Sequence, residues 1–216
     1  MKLIGITENP YRIIMPVYGM DLLKLILNEK SILKPIDSFQ LAVAICNGMS
    51  ALHNIGVIHL DLKPQNVLIK IKNDTMIPVI TDFGISRIID NTMIKGMKRS
   101  KAVGLTPRYS SPELFNMLKS MDTEQPANHG MKKMDIYSFA ITIYEIIERR
   151  VSWEGMSFED IQSQVIAGNR PGFSSSIIRS IDRYILMLVD VIIASWAPSP
   201  NKRPSFADIA AMFDAI

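Results

Sequence analysis

The 216-residue chain sets 24 Lys and Arg against 21 Asp and Glu, and a net charge of +3 is too small and too dispersed to argue for nucleic acid. Hydrophobic residues at 48% with 21% charged residues fit a globular core and exclude bulk disorder, and the length suits one sizeable domain. The single cysteine, Cys46, excludes an internal disulfide framework and fits a reducing compartment.

In chain order, two apolar runs, 3–7 and 12–17, flank the turn-like Glu8-Asn9-Pro10 and are expected to pair as strands. A short helix is expected over about 21–28. A long one follows, capped by Asp37 or Ser38, with Leu41, Ile45, Met49 and Leu52 on one face and Gly56 at its end. Cys46 falls on that face as an inert buried thiol. Strand-like runs at 67–71 and 76–80 flank Lys72-Asn73-Asp74-Thr75, a hairpin signal. From Ser111 onward the pattern is helical. Pro112 suits a first turn, 134–149 has helical periodicity, and Ser157 and Ser205 each precede an acid three residues on, a variant of the capping box. Ile181, Ile185, Leu188, Val189 and Ile192 form a last apolar stripe. The stretch 177–196 is broken by Arg179, Asp182, Arg183 and Asp190, so it reads as a core helix and not as a membrane span. Residues 1–6 are too short for the apolar core of a signal peptide, and cytoplasmic residence is expected. The class is α+β, mainly α.

The chemistry concentrates in His59-Leu60-Asp61-Leu62-Lys63-Pro64-Gln65-Asn66, followed sixteen residues after Asn66 by Asp82-Phe83-Gly84. Asp61 can accept a hydroxyl proton, Lys63 can neutralise charge on a phosphoryl group, and Asn66 and Asp82 offer hard oxygens to Mg²⁺. Each residue alone is ordinary in a surface loop; the joint spacing carries the signal. Ser111-Pro112-Glu113 follows Asp82 at 29 residues, and Asp135-Ile136-Tyr137-Ser138-Phe139 and Arg203-Pro204-Ser205-Phe206 come later.

Together these segments resemble the catalytic loop, the metal-binding turn and the later motifs of eukaryotic-type protein kinases. The resemblance implies ATP and Mg²⁺, protein substrates, and a kinase-like C-terminal lobe over 19–216 with a remnant of the N-terminal sheet and hinge over 1–18. It implies Asp61 and Lys63 as catalytic residues and Asn66 and Asp82 as metal ligands. Pro16, Val17 and Leu68 join Asn66 and Asp82 around the nucleotide, behind Met15 as gatekeeper. Thr106 falls in the substrate-contacting segment. His59, Glu113, Asp135 and Arg203 are structural: His59 holds the backbone near Asp82, Asp135 holds the catalytic loop, and Arg203 pairs with Glu113. Lys63 in Leu62-Lys63-Pro64 is the Ser/Thr pattern, while the late motifs resemble the tyrosine-kinase-like branch.

Three departures stand out. Leu60 replaces an arginine that in the family pairs with a phosphate on the activation segment, so phosphorylation of Thr92 or Ser100 is not expected to switch the protein on. Residues 119–131 read as a surface insertion. No G-x-G-x-x-G and no Val-Ala-Ile-Lys-like strand occurs, so the sequence resembles a kinase truncated before most of its N-lobe. Such a chain is expected to be incomplete or inactive by itself and to need a chain or segment that completes the small lobe. The alternative is a truncated pseudokinase serving as a non-catalytic interaction module. Lys95, Lys98, Arg99 and Lys101 form a basic loop, a solvated surface or a steering patch.

Overall fold

A computed structural model describes residues 4–82, 87–88, 106–119 and 128–216. The first two runs pair as antiparallel β1 (Gly5–Glu8) and β2 (Tyr11–Ile14), with Gly5 opposite Ile14. The ribbon leaves Ile4, Ile6, Tyr11 and Ile14 exposed. After β3 (Met20–Asp21) comes α1 (Leu22–Leu27), where the Asp21 carboxylate accepts the Lys24 N–H as an N-cap.

The long helix α2 runs Pro35–Asn54 and starts earlier than Asp37 or Ser38 would set it. Proline occupies its first position, where a missing N–H costs nothing, and Asp37 is the third residue in. Its Oδ2 reaches back 2.9 Å to accept the Lys34 N–H. Gly56, at φ 78°, follows the end of the helix in a conformation that suits glycine. Inside α2, a Cβ at Gly48 would stand 2.8 Å from Ile80 Cδ1, so glycine lets the helix lie close on a strand.

That strand belongs to the expected hairpin. β4 (Val57–Ile58) pairs with β7 (Arg87–Ile88), while β5 (Val67–Lys72) and β6 (Thr75–Ile80) are joined by Asn73 and Asp74, both left-handed. This two-residue turn has the twist that antiparallel strands prefer. β3 completes a sheet in the order β3-β5-β6, with Asp21 opposite Leu68.

The remaining elements are helical: α3 (Pro112–Lys119), α4 (Asn128–Glu148), α5 (Phe158–Ile166), α6 (Ser175–Ile178), α7 (Arg183–Ser195) and α8 (Phe206–Phe213). Ser205 and Asp208 form a reciprocal capping box on α8, and Ser157 Oγ accepts the Asp160 N–H at the start of α5. The single helix expected over 177–196 is two, because Asp182 caps a new start by accepting the N–H groups of Tyr184 and Ile185. Ile185, Leu188 and Ile192 are buried, but Ile181 precedes that cap and is 95% exposed, so it leaves the expected stripe.

α4 is the pillar of the fold. Ile136, Phe139, Ala140, Ile141, Ile143 and Ile146 are at most 1% exposed, so the helix is apolar on nearly every side. It packs on α2 and α7, and α2 in turn meets α7, α8 and β6. Cys46 lies in this interior with Sγ 3.4 Å from the Phe206 carbonyl, and burial pushes its thiol up to about 12. Among the described residues no helix is long and apolar enough to cross a membrane.

Candidate active site

The segment between β4 and β5, ending in a 3₁₀ turn at Pro64–Asn66, carries the candidate residues. Its geometry is imposed from outside. Leu60 has φ 65°, a conformation unfavourable for any branched residue, and its N–H donates to Asp135 Oδ1 at 2.7 Å. The His59 N–H donates to Asp135 Oδ2 at 2.8 Å. A third donor, His53 Nε2 at the end of α2, meets the same Oδ2 at 2.8 Å. A carboxylate only accepts, so His53 carries its proton on Nε2. Asp135 is fully buried, seven residues into α4, beyond reach of the favourable first turn; three donors hold its charge there.

The Asp61 carboxylate is the focus of the segment. Lys63 Nζ lies 3.0 Å from Asp61 Oδ1 and 2.8 Å from Oδ2, and donates to Thr106 Oγ1 at 2.8 Å. Asn66 Nδ2 donates at 2.8 Å both to Asp61 Oδ2 and to the Asp61 carbonyl. Because both partners are acceptors, the amide must present its NH₂ to Asp61, which turns its oxygen the other way. Asp61 and Lys63 side chains are 13% and 16% exposed, shielded enough to sharpen their attraction yet still open to a ligand.

His59 ties this segment to the next. Its Nε2 donates to the Thr81 carbonyl at 3.0 Å, and its Nδ1 accepts the Asp61 N–H at 3.3 Å. Both ring nitrogens are therefore engaged by backbone, with the proton on Nε2. Asp82 follows β6 in a left-handed conformation (φ 63°) and is exposed. Phe83 and Gly84 lie outside the described residues, as do Thr92, Ser100, the basic cluster at Lys95, Lys98, Arg99 and Lys101, and residues 120–127. Residues 128–131 of the expected insertion belong to α4.

Pro16 and Val17 lie between β2 and β3, Pro16 half-buried and Val17 fully exposed. They lead into the strand that sets Asp21 opposite the half-buried Leu68.

Beneath Thr106, α3 is fixed by an ion pair. Arg203, its side chain wholly buried, donates from Nη1 to Glu113 Oε1 at 2.6 Å and from Nη2 to Oε2 at 2.9 Å. Its other N–H groups reach the carbonyls of Ala197, Lys133 and Pro198. The guanidinium also lies 5.2 Å from the Tyr137 ring centre, and burial pushes the Tyr137 hydroxyl up to about 12.

Sequence reasoning missed several partners. His53 had none assigned. Lys133 is buried and donates to the Arg203 carbonyl at 2.6 Å; desolvation holds its ammonium below the usual lysine range. Glu145, fully buried, accepts the Tyr109 hydroxyl at 2.8 Å and both the N–H and hydroxyl of Ser152. Desolvation raises its carboxyl above the usual range against those bonds, and burial raises the Tyr109 hydroxyl as well. His53, Lys133 and the Tyr109 bond of Glu145 depend on partners 36 to 82 residues away, and Ser152 meets Glu145 only across the end of α4, so no local pattern flags these groups.

This constellation can hold a hydroxyl beside a carboxylate and a cation, with two further oxygen ligands on adjoining segments. Its chemistry agrees with what the sequence matches. The pattern of the protein kinase domain matches residues 1–212. A probable LIM domain-containing serine/threonine-protein kinase of Dictyostelium discoideum is 35% identical over 179 residues, covering 82% of this chain and 16% of that protein. Serine/threonine-protein kinase 12 of Arabidopsis thaliana is 29% identical over 97% of this chain and 42% of its own length. The human ankyrin repeat and protein kinase domain-containing protein 1 is 29% identical across 100% of this chain and 27% of its own length. The chain thus spans less than half of each of these relatives.

Proposed function

The chain belongs to the protein kinase family, and we propose that it transfers the γ-phosphoryl group of ATP to serine or threonine hydroxyls of protein substrates. The observation that carries this reading is the bridge made by Lys63 Nζ between the Asp61 carboxylate and the Thr106 hydroxyl. It sets a base, a cation and a hydroxyl-bearing side chain within one hydrogen-bonded group. In this reading Asp61 orients the substrate hydroxyl and takes its proton as the new P–O bond forms and ADP leaves. Lys63 offsets charge on the phosphoryl oxygens. Thr106 helps to place the substrate beside Lys63.

The residues present fit a hard divalent cation. The Asn66 amide gives its NH₂ to Asp61 and so presents its oxygen elsewhere, and Asp82 supplies an exposed carboxylate. Among the described residues no group of three or more His, Cys, Asp or Glu could hold a metal. When bound, Mg²⁺ neutralises phosphate charge. Pro16, Val17 and Leu68 are the proposed adenine contacts. In the same reading, 19–216 form the large lobe and 1–18 belong to the small one. In this reading the late motifs favour the tyrosine-kinase-like branch.

The test is transfer from labelled ATP to a mixed Ser/Thr peptide library by the complete protein and its Asp61→Asn variant. General-base loss should lower turnover by about 10²-fold or more, with ATP affinity held within about threefold. Equal signals, or none from either protein, would sink the catalytic reading and favour a non-catalytic interaction module.

A further inference from the structure

The contacts around Asp61 make no use of the Leu60 side chain, yet the fold gives it a seat. Leu60 is half-buried against a small apolar cluster separate from the main core, built from Ile58 of β4, Leu114 of α3 and Met131 and Met134 of α4. Met117 of α3 packs on the same cluster. All four central members are buried, at 6% exposure or less. The cluster therefore joins three elements at the residue immediately before Asp61.

We infer that Leu60 is a positioning residue: its side chain, seated in this cluster, holds the left-handed backbone turn that aims Asp61. A leucine at φ 65° is strained and relaxes unless its surroundings hold it. Two anchors act here. The Leu60 N–H is held by Asp135 Oδ1, and the side chain is held by α3 and α4. Asn66 bonds both the Asp61 carbonyl and its Oδ2, so it senses backbone and side chain together. Rotation of the preceding residue out of the left-handed region would break that pair of bonds and carry the carboxylate away from Lys63. Packing by α3 and the early turns of α4 thereby sets the reactive geometry without any charge at position 60. That Asp61 is the reactive acid rests on the function proposed above; the anchoring does not.

Amide hydrogen exchange of His59 and Leu60, whose N–H groups Asp135 protects, reads the anchor directly in the complete protein. Leu60→Ala keeps the strain and removes the side chain; exchange at 59–63 should rise by about tenfold or more while amides in the middle of α2 stay protected. Met131→Ala, which leaves the loop sequence untouched, should do the same. Leu60→Met refills the seat and should stay within about threefold of wild type. Leu60→Gly relieves the strain without refilling the seat, and its exchange should still rise; a wild-type pattern there would overturn the side-chain anchor. In parallel, kcat should fall by roughly ten- to a hundredfold in Leu60→Ala with KM for ATP unchanged, the cost of a misplaced reacting group. A uniform rise in exchange across α2 and α4 would mark an ordinary core residue and overturn the proposal. So would unchanged exchange in Met131→Ala, which decides the matter if Leu60→Ala does not fold. Wild-type inactivity with the expected exchange pattern would sink the functional reading alone.

Discussion

Glu113→Ala should expose how much of the fold hangs on one buried charge. Arg203 is 0% exposed at its side chain, with every guanidinium N–H matched to an oxygen. Removing one member of such a pair strands the other, at about 3–5 kcal/mol. Glu113 retains 18% exposure, so water can reach the vacated place, and the lower end, about 3 kcal/mol, applies. For a chain of this size that corresponds to a fall in Tm of roughly 6–12 °C. Arg203→Met should cost about as much or more, because it strands Glu113 and leaves the Ala197, Lys133 and Pro198 carbonyls without their donor. The double variant strands no charge, and its cost should fall short of the sum by about 2 kcal/mol. Urea unfolding followed by tryptophan fluorescence is the assay, since buried Trp196 adjoins Ala197 and reports on the same corner. Additivity of the two single costs within about 0.5 kcal/mol would refute the coupling.

Asp135→Asn would set an amide N–H against one of three donors, and should cost about 2 kcal/mol while lowering turnover more than ATP affinity, as kinetics at varied ATP would reveal. Glu145 binds its proton more tightly folded than unfolded, so its contribution to stability is full below about 4.5 and is lost as pH rises through the raised value. Glu145→Gln should therefore gain stability relative to wild type as pH rises above 4.5, and a pH-independent difference in unfolding curves would contradict this. With leucine at position 60, phosphatase treatment should leave activity within about threefold; a tenfold drop would mean that another cation, Lys98 or Arg99, reads a phosphate.

What the sequence disclosed depended on range. The hairpin at β5-β6 was legible because Asn73-Asp74 carries its own turn chemistry, and the Ser157 and Ser205 caps because their partners sit three residues away. The start of α2 lies a few residues before the expected cap because Asp37 works backwards, from inside the helix. The break before α7 was hidden because Asp182 reads as an interruption until its capping bonds are seen. At the site, Asp61, Lys63, Asn66 and Asp82 stood out by joint spacing, and the structure gathers Asp61, Lys63, Asn66 and Thr106 into one bonded group. His53, Lys133 and Glu145 stayed silent. Each owes its setting to residues that only tertiary packing brings near.

The distance between Asp135 and the loop it holds also orders events in time. Asp135 follows His59 by 76 residues, and Arg203 follows Glu113 by 90. At roughly 5–20 residues per second, a ribosome needs about 4–15 s to make those 76 residues. During that interval residues 59–66 exist without the carboxylate that receives two of their N–H groups, and Leu60 has no reason to hold its turn. Limited proteolysis of ribosome-bound chains should find this loop cleavable when synthesis is halted before α4 and protected once α4 has emerged. The geometry of the loop is thus acquired only after the 76 residues that separate His59 from Asp135 have been translated.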